Sequence, residues 1–267
     1  MVSVKKKHKK HFAQVGLVAK GLIYCLLGLL TFMAGFNING QSTENADKSG
    51  VFDFIYKQWG GQIILAVLVV GLVCYCIWRL LKVFEKQDDG DDKKKIIGKK
   101  IYYFFSVSVY GSLAYSIVKK LIYSVSDSGD SKQHLAQTLL NKPFGQVLAI
   151  LAALIFAGVG IYQFYYSLSE KYKKHVDKQV GNEKGRKAVM AAGKTGYIAR
   201  GIVWMLIAFL FLKAALNKNS SSAGNSSKAF AFLSEQAYGT YLLAAIGLGL
   251  VCYGTFNFIR ARYENLI

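Results

Sequence analysis

The chain has 267 residues, of which 53% are hydrophobic and 34 are lysine or arginine, and its net charge is +19. The hydrophobic residues are gathered into blocks of about 20 rather than spread at helical or strand periods, which excludes an ordinary soluble domain. A β-barrel would alternate apolar and polar residues over shorter segments, so helices that span a membrane are predicted.

Six apolar blocks follow one another, and each is long enough to cross a hydrocarbon core of roughly 30 Å as a helix. They cover residues 15–36, 62–84, 101–123, 146–168, 197–216 and 240–259. The first block is not expected to be a cleaved signal peptide, because its apolar run is longer than that of a typical signal and no small-residue cleavage site closes it.

Basic residues are distributed unequally between the two sides of this arrangement. Both terminal tails, together with the connections after the second and fourth blocks and the adjoining helix ends, hold 25 of the 34, whereas the other three connections hold nine. Lysine and arginine accumulate on the cytoplasmic side of a membrane, so both termini are predicted to be cytoplasmic. Basic residues beside membrane segments also favour anionic lipid over nucleic acid as a partner.

The chain repeats one unit three times. The sequence VGLVAKGLIY at 15–24 matches TGYIARGIVW at 195–204, and GLVCY at 71–75 recurs at 249–253. WGGQ at 59–62, PFGQ at 143–146 and AYGT at 237–240 also align. Each unit is a helix, an outer loop and a second helix, so all units share one orientation.

These repeats divide the chain into residues 1–92, 93–180 and 181–267. The predicted fold is all-α, an integral membrane bundle of six helices built from three hairpins, with pseudo-threefold symmetry about the membrane normal. The middle copy departs furthest from the other two.

A helix pair that occurs three times, opens with G-x-x-A-[KR]-G-x-x-[YW] and closes with G-x-x-x-Y resembles the domain-of-unknown-function 1206 family of bacterial membrane proteins. The resemblance covers about residues 12–263. It implies a multi-pass protein of the bacterial cytoplasmic (inner) membrane, and it implies no enzymatic activity.

Basic residues near the cytoplasmic start of each first helix are the candidate contacts for an anionic lipid headgroup: Lys20, Lys100 and Arg200. Two interpretations are open. Their side chains can extend to the membrane surface, or they can form a ring of three cations around the pseudo-threefold axis. Arg79 is interpreted as a surface anchor because it lies near the cytoplasmic end of the second block. Asn257 takes its place in the third copy, so Arg79 is not expected to belong to a symmetric ring.

Small residues at intervals of seven predict a seam where two helices approach closely. The predicted seam comprises Gly21, Gly28, Gly35, Gly201, Ala208 and Ala215. Ser108, Ser112 and Ser116 form a stripe that either bonds to nearby backbone or wets a pore. Aromatic residues of the outer loops, Phe52 and Phe230 among them, are expected to face lipid.

No residue is predicted to be catalytic, to bind a cofactor or to bind a metal. All 15 acidic residues and all four histidines lie outside the apolar blocks, so no carboxylate or imidazole is expected at membrane depth. The predicted function is a non-enzymatic membrane protein with a structural, lipid-interacting or partner-binding role. The alternative is a channel or uncoupled transporter for a small or anionic solute.

Overall fold

A computed structural model describes residues 2–84, 93–123, 145–175, 183–217 and 225–263 of the chain. All the described regular structure is helical, and each of the six apolar blocks lies in a helix. The α-helices are α1 (Val2–Gly35), α2 (Lys48–Tyr56), α3 (Gly61–Val83), α4 (Lys93–Tyr123), α5 (Gly145–Leu168), α6 (Glu183–Leu216), α7 (Ser226–Ser234) and α8 (Gly239–Tyr263).

Five of these helices are long and apolar enough to cross a membrane: α1, α3, α5, α6 and α8. α4 has 31 residues, which is ample length, but its lysines and serines make it less apolar than the others. α1, α4 and α6 also begin well before their apolar blocks, in stretches rich in lysine, which is a good helix former. The chain is therefore a membrane protein with several crossings.

Contacts between the long helices of different repeats are more extensive than those within a repeat. α1 packs against α8, α6 against α5, and α4 against α3, so each first helix lies beside the second helix of another repeat. Within repeats, α1 also packs on α3 and α6 packs on α8, whereas α4 and α5 make no extensive contact in the described part of the chain. The six long helices thus form an arc in the order α4, α3, α1, α8, α6, α5.

The predicted small residues lie where helices approach one another. A Cβ atom placed on Gly28 would lie 2.5 Å from the carbonyl oxygen of Gly247, and one on Gly21 would lie 2.9 Å from that of Gly254. Gly35 faces the α8 backbone in the same way. On α6, Gly201 faces the Phe164 ring of α5, and Ala208 and Ala215 are buried.

The outer helices α2 and α7 do not lie with their aromatic side toward lipid, so that prediction is wrong. Phe52 and Phe230 are buried inside the protein, as are Val51 and Ile55. Burial follows from the contacts of α2, which packs against α1, α3 and α4 and offers them its apolar face. Of the outer aromatic residues, Trp59 is fully exposed.

The starts of α2 and α7 are joined by a buried polar contact between equivalent residues of two repeats. Asp47 caps α2 by accepting a hydrogen bond from the Gly50 N–H at 2.7 Å, and Asn225 caps α7 by accepting one from Lys228. The Asn225 amide also donates to the Asp47 carboxylate. This contact ties the outer loops of the first and third repeats together.

We expect Asp47→Ala to lower the free energy of unfolding by about 1–3 kcal/mol, because it removes a helix cap and leaves the buried Asn225 amide without its acceptor. Thermal melting in detergent measures the loss. Asn225→Ala should destabilise similarly, and the double variant should lose less than the two single losses combined. Fully additive losses would contradict the coupling.

Candidate anion-binding cavity

A cavity of about 200 Å³ lies between the helices, and all six long helices contribute to its wall. It lies toward the C-terminal ends of α3, α5 and α8, beside the middle of α1 and the N-terminal halves of α4 and α6. This is the side where basic residues accumulate. Its lining residues are Lys20, Trp78, Arg79, Lys82, Tyr103, Tyr162, Gln163, Tyr166, Tyr197, Tyr253 and Arg260.

The described lining contains four cations and no carboxylate. Lys20, Arg79 and Arg260 are each less than a tenth exposed, and Lys82 lies with its ammonium 5.5 Å from the centre of the Trp78 ring. Removing a cation from water costs several kcal/mol unless other groups compensate. The cavity therefore has a strong electrostatic preference for an anion.

Tyrosine rings surround the Lys20 ammonium. Its Nζ atom lies 5.2 Å from the centre of the Tyr253 ring, 5.6 Å from that of Tyr110 and 5.7 Å from that of Tyr75. The negative faces of aromatic rings attract a cation at such distances. These rings offset part of the cost of burying Lys20 without neutralising its charge.

Arg79 is held in place by the tyrosine one helical turn before it. Its Nε and one terminal nitrogen donate to the Tyr75 hydroxyl oxygen, at 2.9 and 2.7 Å. Its guanidinium also lies over the rings of Trp78 and Tyr103. Because the Tyr75 oxygen accepts both of these bonds, its own proton remains available to donate.

A second group of cations borders the cavity on its outer side. Arg200 donates to the Tyr253 hydroxyl at 2.6 Å, and its guanidinium lies over the rings of Tyr24 and Tyr253. Lys48, at the start of α2, points toward the rings of Tyr24 and Tyr110. Burial, reinforced by the nearby Arg200 charge, lowers the pKa of Lys48 to about 8.

Gln163 supplies an uncommitted polar group to the cavity wall. Its side chain is 5% exposed, and its Oε1 atom has no hydrogen-bond partner among the described residues. The oxygen and nitrogen of a glutamine amide can exchange places by rotation, so this amide can donate a hydrogen bond to a ligand. After this exchange, the amide would offer N–H groups rather than an unpaired acceptor to an anion in the cavity.

Two of the three predicted headgroup residues come together, and the third does not. Lys20 and Arg200 both lie over the Tyr253 ring, at 5.2 and 4.4 Å from its centre. Lys100 is exposed near the start of α4 and does not line the cavity. Lys20 is too deeply buried to extend to the membrane surface, being 4% exposed.

The interpretation of Arg79 as a surface anchor is wrong, because its side chain is 7% exposed and bonded to Tyr75 inside the bundle. Lys82, Gln163 and Arg260 were not predicted from the sequence. A count along the second helices would have identified Arg79 and Gln163, since Arg79, Gln163 and Asn257 each lie 18 residues after the glycine that begins their helix.

The serine stripe of α4 bonds to its own helix. The Ser108 hydroxyl donates to the Phe104 carbonyl oxygen at 3.2 Å, and the Ser112 hydroxyl donates to that of Val109 at 2.8 Å. Both serines are exposed. This geometry matches the backbone-bonding interpretation of the stripe.

A curated relative in Bacillus subtilis (strain 168), named Uncharacterized protein YxxB, is similar to the chain along almost its whole length. The two are 27% identical over 269 residues, which cover 100% of this chain and 96% of the relative. No solved structure matches the chain significantly.

The family described as Domain of Unknown Function (DUF1206) matches the chain three times, at residues 15–85, 101–169 and 195–264. Lys20, Ser106 and Arg200 are each the sixth residue of their match. A polar residue thus stands at the same place in each match, and one match lies inside each predicted repeat. The chain belongs to the DUF1206 family.

Proposed function

We propose that this protein is a non-enzymatic integral membrane protein that binds a phosphate-bearing anion in the central cavity. The observation that carries the proposal is a cavity with four cations and no carboxylate in its described lining. An anion within about 4 Å of one such cation gains about 4 kcal/mol at an effective dielectric constant of 20. Several cations act on the same site.

The donors around the cavity suit phosphate rather than a simple halide. Arginine guanidinium groups recognise phosphate through paired hydrogen bonds, and Arg79 and Arg260 both line the wall. Tyrosine hydroxyls and the Gln163 amide add neutral donors that can reach further oxygens of the same group. A phosphate ester offers enough acceptor oxygens to use these donors together.

We further propose six membrane crossings, with α4 as the sixth and both termini in the cytoplasm. α4 packs along the apolar helix α3, and a sixth crossing keeps the three repeats in one orientation, related by a pseudo-threefold axis. The basic connections then face the cytoplasm of a bacterial cytoplasmic membrane. The cavity lies at that end, where phosphate compounds and anionic headgroups are abundant.

The packing favours a binding site over a channel. Toward the outer side, Val51 and Phe52 of α2 and Phe230 of α7 are buried among the long helices. An open path for a solute would have to displace these residues. The cavity is therefore proposed to be a binding site that is closed toward the outer side, rather than part of a path across the membrane.

Fluorescence of Trp78, which lines the cavity, tests the proposal. In a Trp59→Phe, Trp204→Phe background, we expect inorganic phosphate and glycerol phosphate to change Trp78 emission saturably, in a neutral detergent at constant ionic strength. Chloride at equal ionic strength should have a much smaller effect. No saturable change with either phosphate compound would overturn the proposed function.

A further inference from the structure

Among the described residues, the arc of long helices leaves one side of the cavity uncovered, between α4 and α5. α5 contacts α6 through Phe164 and Gly160, which face Gly201 and Met205. Tyr162 lines the cavity and is 49% exposed. The cavity therefore continues along Tyr162 to the lateral surface of the bundle, which faces the predicted membrane.

Glycines explain why the two long helices pack together in the first and third repeats but not in the second. A Cβ atom on Gly16 would lie 2.6 Å from the Tyr75 Cβ, and one on Gly196 would lie equally close to Tyr253. Gly71 similarly faces Ala19, and Gly249 faces Ala199. The two long helices of the first repeat, and those of the third, are thus held together by two close contacts, and each contact requires a glycine because a side chain would not fit.

The second repeat has large residues at both of these places. Tyr102 is the second residue of its family match, as Gly16 and Gly196 are of theirs. Ile155 lies ten residues after the start of α5, as Gly71 and Gly249 do after the starts of α3 and α8. Ile155 is 57% exposed, so its side chain does not form the close contact that Gly71 and Gly249 make with the first helix of their repeats.

An apolar stripe runs along α5 from this opening. Leu148, Ile155 and Tyr162 are spaced by seven residues and share one face of the helix, and all three are exposed, at 40, 57 and 49%. The stripe leads from the cavity toward the middle of the predicted membrane. The cationic cavity suits the headgroup of an anionic phospholipid, and the apolar stripe beside it suits an acyl chain.

The size of the cavity fits the same occupant. A volume of about 200 Å³ is smaller than the roughly 300–1,000 Å³ that drug-sized ligands occupy, so it accommodates a headgroup but not a whole lipid. The acyl chains must then remain outside the cavity, and the α4–α5 opening provides the place for them.

Resting on the proposed function, we infer that the ligand is an anionic phospholipid of the cytoplasmic leaflet, bound with its phosphate in the cavity and an acyl chain along the α5 stripe. The lipid reaches the cavity sideways, between α4 and α5. Cations in the wall select an anionic headgroup over a zwitterionic one.

Photocrosslinking in nanodiscs that contain phosphatidylglycerol and phosphatidylcholine tests this inference. A diazirine-bearing phenylalanine analogue is placed at Ile155, on the stripe, or at its neighbour Leu154. Leu154 is 63% exposed and turned by about 100° from Ile155 at nearly the same depth, so it samples bulk lipid. Mass spectrometry gives the ratio of phosphatidylglycerol to phosphatidylcholine adducts at each position.

We expect this ratio at Ile155 to exceed that at Leu154 by about fivefold or more, and Arg79→Gln to reduce the excess. Equal ratios at the two positions, or an excess that Arg79→Gln leaves unchanged, would overturn the inference. If soluble phosphate still changes Trp78 emission in that case, the proposed function stands without its lipid. If phosphate has no effect, the failure lies in the proposed function.

Discussion

Arg79→Gln is expected to lower the affinity of the cavity for glycerol phosphate by about tenfold or more, since hydrogen bonds to charged groups contribute about 1.5–3 kcal/mol. Arg79 is the best-positioned cation in the wall, because two bonds to the Tyr75 hydroxyl fix its guanidinium. Glutamine already occupies the equivalent place in the second repeat, at Gln163, so the fold should accept the change. Titration of Trp78 emission measures the affinity.

Lys213→Gln is the matched control for this variant. Lys213 is an exposed lysine near the end of α6, on the opposite side of the molecule from the cavity. The substitution therefore removes one positive charge without changing the cavity wall. Its affinity should remain within about twofold of the unchanged protein at moderate salt, because screening over about 8–10 Å weakens distant charges. Equal losses in the two variants would show that net charge, rather than the cavity, governs binding.

Arg79→Lys separates charge from geometry at the same position. Lysine keeps the positive charge but cannot reproduce the planar pair of bonds to one hydroxyl oxygen. An affinity between those of Arg79→Gln and the unchanged protein would show that both contribute.

Much of the fold follows from hydropathy alone, because a membrane requires long apolar segments whose backbone bonds are internal. All six apolar blocks are helices, and their C-terminal ends agree closely with those predicted for α3, α4, α5 and α6. The N-terminal extensions of α1, α4 and α6 were not predictable in this way, since a lysine-rich helix outside the apolar region leaves no hydropathy pattern.

Helix rotation sets the limit on predicting the site. The repeat pattern identified Lys20 and Arg200, which carry the same charge in two copies of one motif. Position near the cytoplasmic end of its helix predicts a surface anchor at Arg79, and Asn257, its equivalent in the third copy, excludes it from a symmetric ring of charges. Gln163 is the equivalent residue in the second copy. What these three positions share is burial of a polar group, and burial depends on which face of each helix its neighbours cover.

The choice of Lys100 shows a related difficulty. In a degenerate repeat, matching charge alone points to Lys100 as the equivalent of Lys20, whereas the family match places Ser106 there. Ser106 is buried and Lys100 is exposed. Equivalent places in repeats conserve their surroundings more closely than their charge, so a count of positions was a better guide than residue type.

The close contact between α1 and α8 gives the second large effect. Gly28→Ala is expected to lower the free energy of unfolding by about 1–3 kcal/mol or more. The added Cβ would lie 2.5 Å from the Gly247 carbonyl oxygen and 2.7 Å from the Val251 nitrogen. These are backbone atoms, so no side-chain rotation relieves the overlap, and the two helices must move apart. Thermal melting in detergent measures the loss.

Gly111→Ala is the control, because it makes the same chemical change inside α4, where the new Cβ would have no atom within 4 Å in the described part of the chain apart from its own helix backbone. Alanine favours a helix over glycine by about 1 kcal/mol, so this variant should melt at the same temperature as the unchanged protein or slightly higher. Similar melting of the two variants would show that the glycine seam does not hold α1 against α8. Because α1 carries Lys20 and α8 carries Tyr253, Gly28→Ala should also weaken phosphate binding, whereas Gly111→Ala should leave it unchanged.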